Sequence, residues 1–435
     1  MINSNDPNLP LIESARLHIE EGRLPEAAAV LNQARAQIPT DPRVYIMAAL
    51  MTEKTGNVAA AFGLMEQGLT LAPEWAPGIM ELAHMQARQG QFPEARENAA
   101  TAFDLEGGNP LVRGGAIQVA LLCGDRNLAV RHLREGLAQI PDHESWRKLL
   151  ASTLNQLGQT DEALALWDGL VADSPSDRKA LEGRMHTLLM AGRLADAARD
   201  TTALLALDPQ NAIYAYYNAR AHGETPAHQP AELNRHLFDS AAAVFDQQLV
   251  QALRYKLPQQ IAQQILASYP ARQCNLLDLG CGTGLLGAHL GKLKGRMVGA
   301  DLSPKMLELA ERRGVYDSLK TADLQDTLNE SQAASYDVVV ALEVCVYVGE
   351  LSAMIAGAWR VLVPGGRLIF SCESGTPGGP DLYLNPATER YTHQRNHVEQ
   401  QSRAAGFTVQ TEETVLRQER GKPVSGFVIT AVKPA

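Results

Sequence analysis

A glycine-rich segment at residues 277–284, with the sequence LDLGCGTG, is the part of this chain best suited to bind a small molecule. Gly280, Gly282 and Gly284 let the backbone turn sharply and approach a ligand where a β-carbon would intrude. A further glycine downstream completes the GxGxxG dinucleotide fingerprint, which is weak evidence when it stands alone. Asp278 lies just before the glycines and suits a cationic amino group, whereas it would repel a pyrophosphate. The segment therefore favours an amino-acid-like ligand over a nicotinamide dinucleotide, with a structural helix cap as the plain alternative for Asp278.

Two more acidic residues follow where the second and third strands should end. Asp301 lies 21 residues after Gly280, where an acidic residue in nucleotide-binding folds accepts hydrogen bonds from ribose hydroxyls. Asp323 lies where the third strand should end and offers an acceptor to an adenine amino group. A fourth sign is the sequence LVPGG at residues 362–366, directly before the apolar run RLIFS. Together these features indicate a nucleoside that carries an amino-acid group.

The elements that must position these residues can be read from the hydrophobic pattern. From residue 274 onward, the apolar runs NLLDLG, RMVGADL, SYDVVVALEV and GRLIFSCE alternate with segments of helical length. Such alternation predicts a mainly parallel sheet with helices on both faces. We therefore predict an α/β domain in the second half of the chain.

The first half of the chain is a repeat array with a constant period. Six glycines lie 34 residues apart, each is followed five positions later by an alanine, and a proline column keeps the same period except for one glycine. This is the length of a helix–turn–helix tetratricopeptide unit, and the glycines suit the left-handed backbone at a helix end. The glycines are Gly22, Gly56, Gly90, Gly124, Gly158 and Gly192, and the alanines are Ala27, Ala61, Ala95, Ala129, Ala163 and Ala197.

The repeat frame predicts an all-α tetratricopeptide solenoid over residues 1–222. Six 34-residue units fill residues 8–211, and the following AIYAYYNARA reads as a capping helix. The sequence GETPAHQPAEL at residues 223–233 has two prolines and no hydrophobic period, so we predict a linker or hinge there. Solenoids of this kind bind a protein or peptide partner on their concave face. The alternative is that the array only dimerises the chain or braces its second half.

Composition excludes several other classes of function. The net charge of −10 and the pI near 5.6 argue against a nucleic-acid partner, which needs clustered basic residues. No apolar run reaches the length of a membrane span, and the N-terminal residues lack the layout of a signal peptide. The five dispersed cysteines predict reduced thiols and no metal site. We therefore expect a cytoplasmic protein with no membrane contact.

The combined motifs resemble the S-adenosylmethionine-dependent methyltransferases with a seven-stranded Rossmann-like sheet. With the repeats upstream, FDSAAAVFD at residues 238–246 and LRYKLP at residues 253–258, the chain is similar to bacterial methyltransferases that contain tetratricopeptide repeats. This resemblance covers residues 234–435 and implies an α/β Rossmann-like domain there, with N-terminal cap helices over residues 234–270. It implies S-adenosyl-L-methionine as the cofactor. It implies that the glycine segment with Asp278 holds the methionine part, Asp301 the ribose and Asp323 the adenine. The other cofactor contacts that it implies are Leu302, Met306, Leu324, Glu343 and Val344.

Methyl transfer can rest largely on positioning, because the sulfonium is already a strong electrophile. A base is needed only if the acceptor must lose a proton. The segment at residues 375–397 supplies two candidates for this base, of which His393 is the first and Tyr391 the second. The alternative for His393 is a solvated or helix-capping histidine. Tyr255 and Tyr347 could close over the cofactor or pack in the core. Arg254 or Arg390 could hold an acceptor carboxylate or pair on the surface.

Three functions follow from this sequence. In the first, the methyltransferase acts on a protein, peptide or carrier-bound substrate that the repeats capture. In the second, it methylates a small molecule, and the repeats serve oligomerisation, such as a homodimer. In the third, the chain is a methyltransferase-like scaffold without turnover.

Overall fold

A computed structural model describes residues 6–242, 245, 254–386, 388–419 and 421–435. The chain divides into two compact units, Met1–Thr187 and Leu188–Ala435. The division lies ahead of the linker predicted at residues 223–233, because the last repeat helix and the capping helix group with the α/β elements. The boundaries predicted from sequence, 1–222, 223–233 and 234–435, remain a proposal about functional modules.

The helices of the repeats follow the 34-residue frame in pairs. Each column glycine lies between the two helices of a pair and has a φ of +71° to +83°, a conformation that costs glycine little. Each column alanine is fully buried, which allows close helix approach. The helices are α1 (Leu9–Glu20), α2 (Leu24–Gln37), α3 (Pro42–Lys54), α4 (Val58–Leu71), α5 (Ala76–Arg88), α6 (Phe92–Glu106), α7 (Pro110–Leu122), α8 (Arg126–Gln139), α9 (Glu144–Gln156), α10 (Thr160–Asp173), α11 (Arg178–Met190) and α12 (Leu194–Leu207).

The second unit continues with the predicted capping helix and with two helices ahead of the sheet. These are α13 (Ala212–Ala221), α14 (Ala231–Ala241) and α15 (Leu257–Ser268). Asn211 caps α13 by accepting hydrogen bonds from two backbone amides of its first turn, as asparagine does at helix N-termini. The helices predicted over residues 234–270 are thus seen in part; residues 243–244 and 246–253 of that segment lie outside the described residues.

Strands and helices then alternate as the hydrophobic pattern predicts. The strands are β1 (Leu276–Leu279), β2 (Met297–Asp301), β3 (Ser318–Thr321), β4 (Tyr336–Ala341), β5 (Leu362–Glu373), β6 (Leu382–Leu384), β7 (Tyr391–His393), β8 (Thr408–Glu419) and β9 (Lys422–Val432). The helices are α16 (Leu285–Leu290), α17 (Pro304–Glu311), α18 (Leu324–Glu330), α19 (Ser352–Val361) and α20 (Arg395–Ala404).

Seven of these strands form one sheet in the order β3-β2-β1-β4-β5-β9-β8. The strands β1 to β5 run parallel, while β9 is antiparallel to both β5 and β8. The short strands β6 and β7 form a separate hairpin. Strand order reverses beside β1, so the carboxyl ends of β1, β2 and β4 border the crevice in which open α/β sheets bind ligands.

Two apolar layers cover the sheet, one on each face. One is built around Phe370 and Val339 with α19 and α20, and the other around Val340 and Leu276 with α15 and α16. The β1 residues are all buried, as expected for a central parallel strand. The predicted fold class, a tetratricopeptide-type solenoid followed by an α/β Rossmann-like domain, is confirmed. In the part of the chain that the structure describes, no helix combines the length and apolarity needed to cross a bilayer.

Candidate functional site

A cavity of about 480 Å³ opens at the carboxyl ends of β1, β2 and β4, within the second unit. Its volume falls in the range of small-molecule sites. The cavity brings together ten of the eleven predicted cofactor contacts, which are Asp278, Gly280, Gly282, Asp301, Leu302, Met306, Asp323, Leu324, Glu343 and Val344. Gly284 lies just behind them as the N-cap of α16, with a φ of +79°.

The glycine segment is shaped by close backbone approach. Gly280 has a φ of +66°, and a β-carbon there would lie 2.3 Å from the Cγ2 atom of Val344. A β-carbon on Gly287, which follows in α16, would lie 2.7 Å from the ring of Tyr316. Larger residues at these two positions would therefore displace the segment that borders the cavity.

Asp278 is a buried carboxylate on the floor of this cavity. Its side chain accepts one hydrogen bond, from the hydroxyl of Tyr316 at 2.7 Å. Burial raises the pKa of Asp278 from its ordinary 3.8 to about 7, although the Tyr316 hydrogen bond opposes that rise. Such a carboxylate gains most from a cation beside it. The arrangement suits an ammonium group.

Backbone amides orient Asp301, and Asp323 starts a helix. The two carboxylate oxygens of Asp301 accept from the amides of Gly282 and Ser303, each at 2.9 Å. Burial raises the pKa of Asp301, and these amides oppose the rise. Asp323 is the N-cap of α18, where it accepts from the amide of Gln325 at 2.7 Å. Carboxylate oxygens accept more than one hydrogen bond each, so both acids keep capacity for a ligand.

A cluster of charged side chains forms another part of the cavity wall. Arg417 of β8 is buried and pairs with Glu343, Glu373 and Glu419. Glu343 follows β4 with a φ of +57°, and its Oε1 atom is buried without a hydrogen-bond partner among the described residues. Burial raises the pKa of Glu343, while Arg417 opposes the rise. The wall therefore holds a carboxylate oxygen that is free to accept a hydrogen bond.

Sequence reasoning did not predict Arg417. It named the neighbouring Arg390 only as one of two arginines, with Arg254, that could hold an acceptor. Arg390 lines the cavity and pairs with Glu419, while Arg254 has a φ of +52° and is not among the described lining residues. No local signal marks Arg417, because a charged residue on an alternating strand normally predicts a solvent-facing side chain. Its role depends on a contact with residue 343, distant in sequence.

Aromatic side chains complete the wall. Tyr255 and Tyr347 both line the cavity. The ring of Tyr347 meets that of Phe238 edge-on, with centroids 5.3 Å apart, and Phe245 lies next to Phe238 at 6.2 Å. These contacts provide a mainly apolar surface for a flat ligand.

The two predicted catalytic residues lie elsewhere and have other partners. His393 is buried, and its Nε2 atom lies 2.9 Å from the carbonyl oxygen of Gly349. The hydroxyl of Tyr391 donates to the carbonyl of Pro226 at 2.7 Å. Neither is among the described residues that line the cavity. The structure thus does not bring them to the site, because β7 turns both side chains into the packing around residues 226–227 and 349.

No group of three or more histidine, cysteine or acidic side chains suited to a metal ion occurs among the residues described. All five cysteines carry free thiols.

Comparisons with known proteins show similarity between the second unit and methyltransferases. Residues 277–370 match the family model described as a methyltransferase domain. A ubiquinone biosynthesis O-methyltransferase of Xanthomonas oryzae is 31% identical over 105 residues, which cover 23% of this chain and 44% of that protein. The mitochondrial enzyme of the same name from Rattus norvegicus is 34% identical over 114 residues, 25% of this chain and 33% of that one. The chain thus spans less than half the length of these two relatives.

Solved structures resemble each half of the chain at low sequence identity. Magnesium protoporphyrin IX methyltransferase from Synechocystis, crystallised with bound SAH, is 22% identical with a TM-score of 0.37, covering 47% of this chain and 99% of that one. Pseudomonas aeruginosa PilF is 15% identical with a TM-score of 0.39, covering 49% of this chain and 97% of that one.

The sheet order, the glycine segment and the family match define the class of the second unit. It contains a Rossmann-like methyltransferase domain, as predicted from the sequence. Methyltransferase domains of this family use S-adenosylmethionine. This is the cofactor that was predicted from the sequence. Among the relatives, the similarity is to O-methyltransferases of ubiquinone biosynthesis.

Proposed function

We propose that this protein is an S-adenosylmethionine-dependent methyltransferase. The observation that supports it best is the convergence of Asp278, Asp301 and Asp323 with the glycine segment on one cavity. The three acids lie at or just beyond the carboxyl ends of the parallel strands β1, β2 and β3, which is how Rossmann-like sheets recognise separate parts of a nucleoside ligand.

The residues present suit this cofactor. Asp278 would hold the amino group, since a buried carboxylate with a raised pKa gains from an adjacent cation. Asp301 would hold the ribose and Asp323 the adenine amino group. When bound, the cofactor supplies an activated methyl group on its sulfonium. The protein's part is to orient the acceptor and exclude water, for which the apolar surface around Tyr347 is suited.

The remaining predicted contacts divide by chemistry. Leu302, Met306 and Leu324 are the apolar residues that would pack against the adenosine, and Gly280, Gly282 and Gly284 would leave room for the methionine part. Glu343 and Val344 would flank the sulfonium. The catalytic roles of His393 and Tyr391 stay predictions without support from the cavity geometry.

Titration calorimetry with S-adenosylmethionine tests the proposal. We expect binding by the full-length protein and at least a tenfold weaker affinity for Asp301→Ala, since hydrogen bonds to a charged group are worth about 1.5–3 kcal/mol. Asp326→Ala is the matched control, because Asp326 lies in the first turn of α18 and is not a predicted cofactor contact. Absence of binding by the wild-type protein would overturn the proposal.

For the acceptor, we propose a protein, peptide or carrier-bound substrate that the repeat array captures. The regular helix pairs support this, because tetratricopeptide-type solenoids present extended binding surfaces. The test compares the full chain with residues 188–435, the second compact unit, on a partner isolated by pull-down with the full chain and analysed for the mass of an added methyl group. Equal methylation of that partner by both proteins would contradict capture by the array.

A small-molecule acceptor is the second candidate, and the similarity to ubiquinone biosynthesis O-methyltransferases favours it. In that case residues 188–435 should retain full turnover, and the array would serve assembly. Light scattering on the full chain and on residues 188–435 would then show whether the array forms a homodimer. A scaffold without turnover is the outcome if the cofactor binds but no acceptor is methylated. The cytoplasmic location stays a prediction.

A further inference from the structure

The segment predicted as a linker is fastened to the wall of the cavity. We call residues 224–230, between α13 and α14, the strap. The amide of Glu350 donates to the carbonyl of Ala227 at 2.8 Å, and the amide of Gln229 donates to the carbonyl of Tyr347 at 3.2 Å. The hydroxyl of Tyr391 donates to the carbonyl of Pro226. All three hydrogen bonds involve backbone groups of the strap, and they join it to residues 347–350, which follow β4, and to β7. The strap is therefore packed against the domain and is not a free hinge.

One end of the strap is anchored by a buried charge. Arg220, in the last turn of α13, is 8% exposed and forms an ion pair with Glu389. Its guanidinium also lies over the rings of Tyr216 and Tyr217, with its central carbon 5.5 and 5.4 Å from the ring centroids. The side chain of Gln229 donates to the backbone carbonyl of Glu389. Residue 389 therefore ties the end of α13 and the strap to the same point.

The residues that the strap holds are part of the ligand cavity. Gln229 and His228 line the cavity directly, and so do Tyr347, Val348 and Glu350. A β-carbon on Gly349 would lie 2.9 Å from the carbonyl oxygen of Ala227 and 2.8 Å from the ring of Tyr391. The strap thus packs against this wall without spare room, and a shift of one would move the other.

We propose that Arg220 is a positioning residue for the ligand cavity, acting through Glu389 and the strap to hold the wall formed by residues 347–350 in place. The capping helix α13 then contributes to the geometry of the methyl-transfer site. The identity of the ligand in this cavity rests on the proposed function, but the coupling of Arg220 to residues 347–350 does not. Through the strap, the end of the array and the cavity wall move together.

Hydrogen exchange of the full-length protein, followed by mass spectrometry, tests this link. In Arg220→Met we expect the amides of Gln229 and Glu350 to exchange about tenfold faster, since loss of a charged hydrogen bond costs more than about 1.4 kcal/mol of local stability. Glu389→Gln should have the same effect, and Arg220→Lys should restore most of the protection. Arg193→Met, at an exposed arginine that pairs with Asp196, is the matched control and should change neither amide.

Two results would overturn the proposal. One is faster exchange confined to residues 212–222, with the Glu350 amide unchanged. The other concerns S-adenosylhomocysteine. Its binding should slow exchange of the Glu350 amide in the wild type, and should slow it less in Arg220→Met. Binding without any effect on the Glu350 amide would show that the strap does not contribute to the site. If this ligand does not bind at all, the proposed function fails, while the comparison of variants still decides the positioning role.

Discussion

Asp278 shows how a single residue can be unfavourable to the fold and suited to a ligand. It lies near the end of a fully buried strand, and Tyr316 supplies one hydrogen bond. A carboxylate in this position loses most of its hydration, so its protonated form is favoured. The missing interaction is a cation, which the proposed ligand would bring.

This argument predicts a pH-dependent stability for the protein without ligand. Because the pKa of Asp278 is raised to about 7 in the folded state, the folded protein retains a proton that the unfolded chain loses from about pH 4 upward. The contribution of Asp278 to the free energy of unfolding therefore falls between about pH 4 and 7, by on the order of 4 kcal/mol. Asp278→Asn removes this loss. Urea unfolding should show the free energy of unfolding of the variant rising relative to that of the wild type from about pH 4 to pH 7 and staying level above pH 7.

Tyr316→Phe provides the control for that prediction. It removes a hydrogen bond that favours the carboxylate, so the pKa of Asp278 should rise further. The stability of the variant should then keep falling to a higher pH than that of the wild type, with a larger total loss. A difference between Asp278→Asn and wild type that stays constant across the same pH range would show that Asp278 ionises normally.

Gly280 can be compared with Gly365, since both have positive φ, +66° and +78°. Gly365→Ala meets no atom within 4 Å and should cost only the backbone strain, about 1 kcal/mol. Gly280→Ala meets Val344 at 2.3 Å, so we expect a larger loss of stability together with loss of S-adenosylmethionine binding. Adding Val344→Ala should recover part of both losses. Thermal unfolding and calorimetry of the three variants measure this, and equal costs at the two glycines would contradict it.

At the scale of elements, an irregularity in β8 decides which side chains face the cavity. The pairing of β8 with β9 shifts register between Val415 and Arg417, and Leu416 and Arg417 are consecutive buried residues there. A bulge of this kind turns a side chain that would otherwise face solvent. It brings Arg417 to Glu343, Glu373 and Glu419.

Replacement of Arg417, at the centre of this cluster, should lower the free energy of unfolding. Arg417→Met leaves buried carboxylates without their cation, so we expect a loss of about 3 kcal/mol in the free energy of unfolding at neutral pH. The loss should shrink as the pH is lowered, because protonation removes the unpaired charges. Arg395→Met, at a half-exposed arginine that pairs with Glu413 of the same strand as Arg417, should cost less than about 1 kcal/mol. Urea unfolding at neutral and mildly acidic pH distinguishes the two, and similar losses would argue against a buried cluster.

At one buried position, the third repeat has a smaller side chain than its neighbours. Four positions after the column alanine, the first, second, fourth and fifth repeats have the large residues Leu31, Met65, Leu133 and Trp167, but the third has Ala99. Ala99 lines a cavity of about 410 Å³ formed by residues of α6, α7 and α8.

Filling that cavity should stabilise the array. We expect Ala99→Leu to raise the free energy of unfolding by about 1 kcal/mol, the usual gain from cavity filling. Ala95→Leu, at the fully buried column position of the same helix, should lower it by about 1–3 kcal/mol through overpacking. Denaturant unfolding of the full chain compares them. A loss of stability in Ala99→Leu would show that the cavity is not available to a side chain at this position.

At the scale of the whole molecule, the compact units do not coincide with the modules read from the sequence. By sequence α13 is the capping helix of the repeat domain, yet the ion pair of Arg220 with Glu389 and the burial of Tyr217 tie it to the second unit. An element can be assigned to one module by sequence and bury its side chains in another, because burial depends on which surfaces meet.

This division predicts where the chain can be cut. Residues 188–435 should unfold in one cooperative transition, whereas residues 223–435, which lack α12 and α13, should be less stable by at least about 2 kcal/mol, the contribution of the charged hydrogen bond of Arg220 alone. Arg220→Met in the longer fragment should reproduce that part of the difference. Calorimetric unfolding of the three proteins measures it, and equal stability of the two fragments would place the boundary at residue 223.

How much was predictable depends on the range of the interactions involved. The glycine segment, the acids at residues 278, 301 and 323 and the alternation of strands with helices follow from local patterns, because tight turns and alternating elements leave a signature within a few residues. Arg417 and the strap leave none. A bulge reverses the facing of a side chain that alternation predicts, and the strap looks like a hinge because its partners are some 120 to 165 residues away.

By itself, the sequence determined the repeat period, the α/β alternation and the acids at the ends of β1, β2 and β3, since each depends on backbone geometry that nearby residues dictate. Only the tertiary structure decided that His393 and Tyr391 pack against backbone carbonyls, that Arg417 gathers three glutamates beside the cavity and that Arg220 anchors the strap. Those outcomes depend on desolvation and on contacts between distant segments, which exist only once the sheet has formed and its two faces are covered.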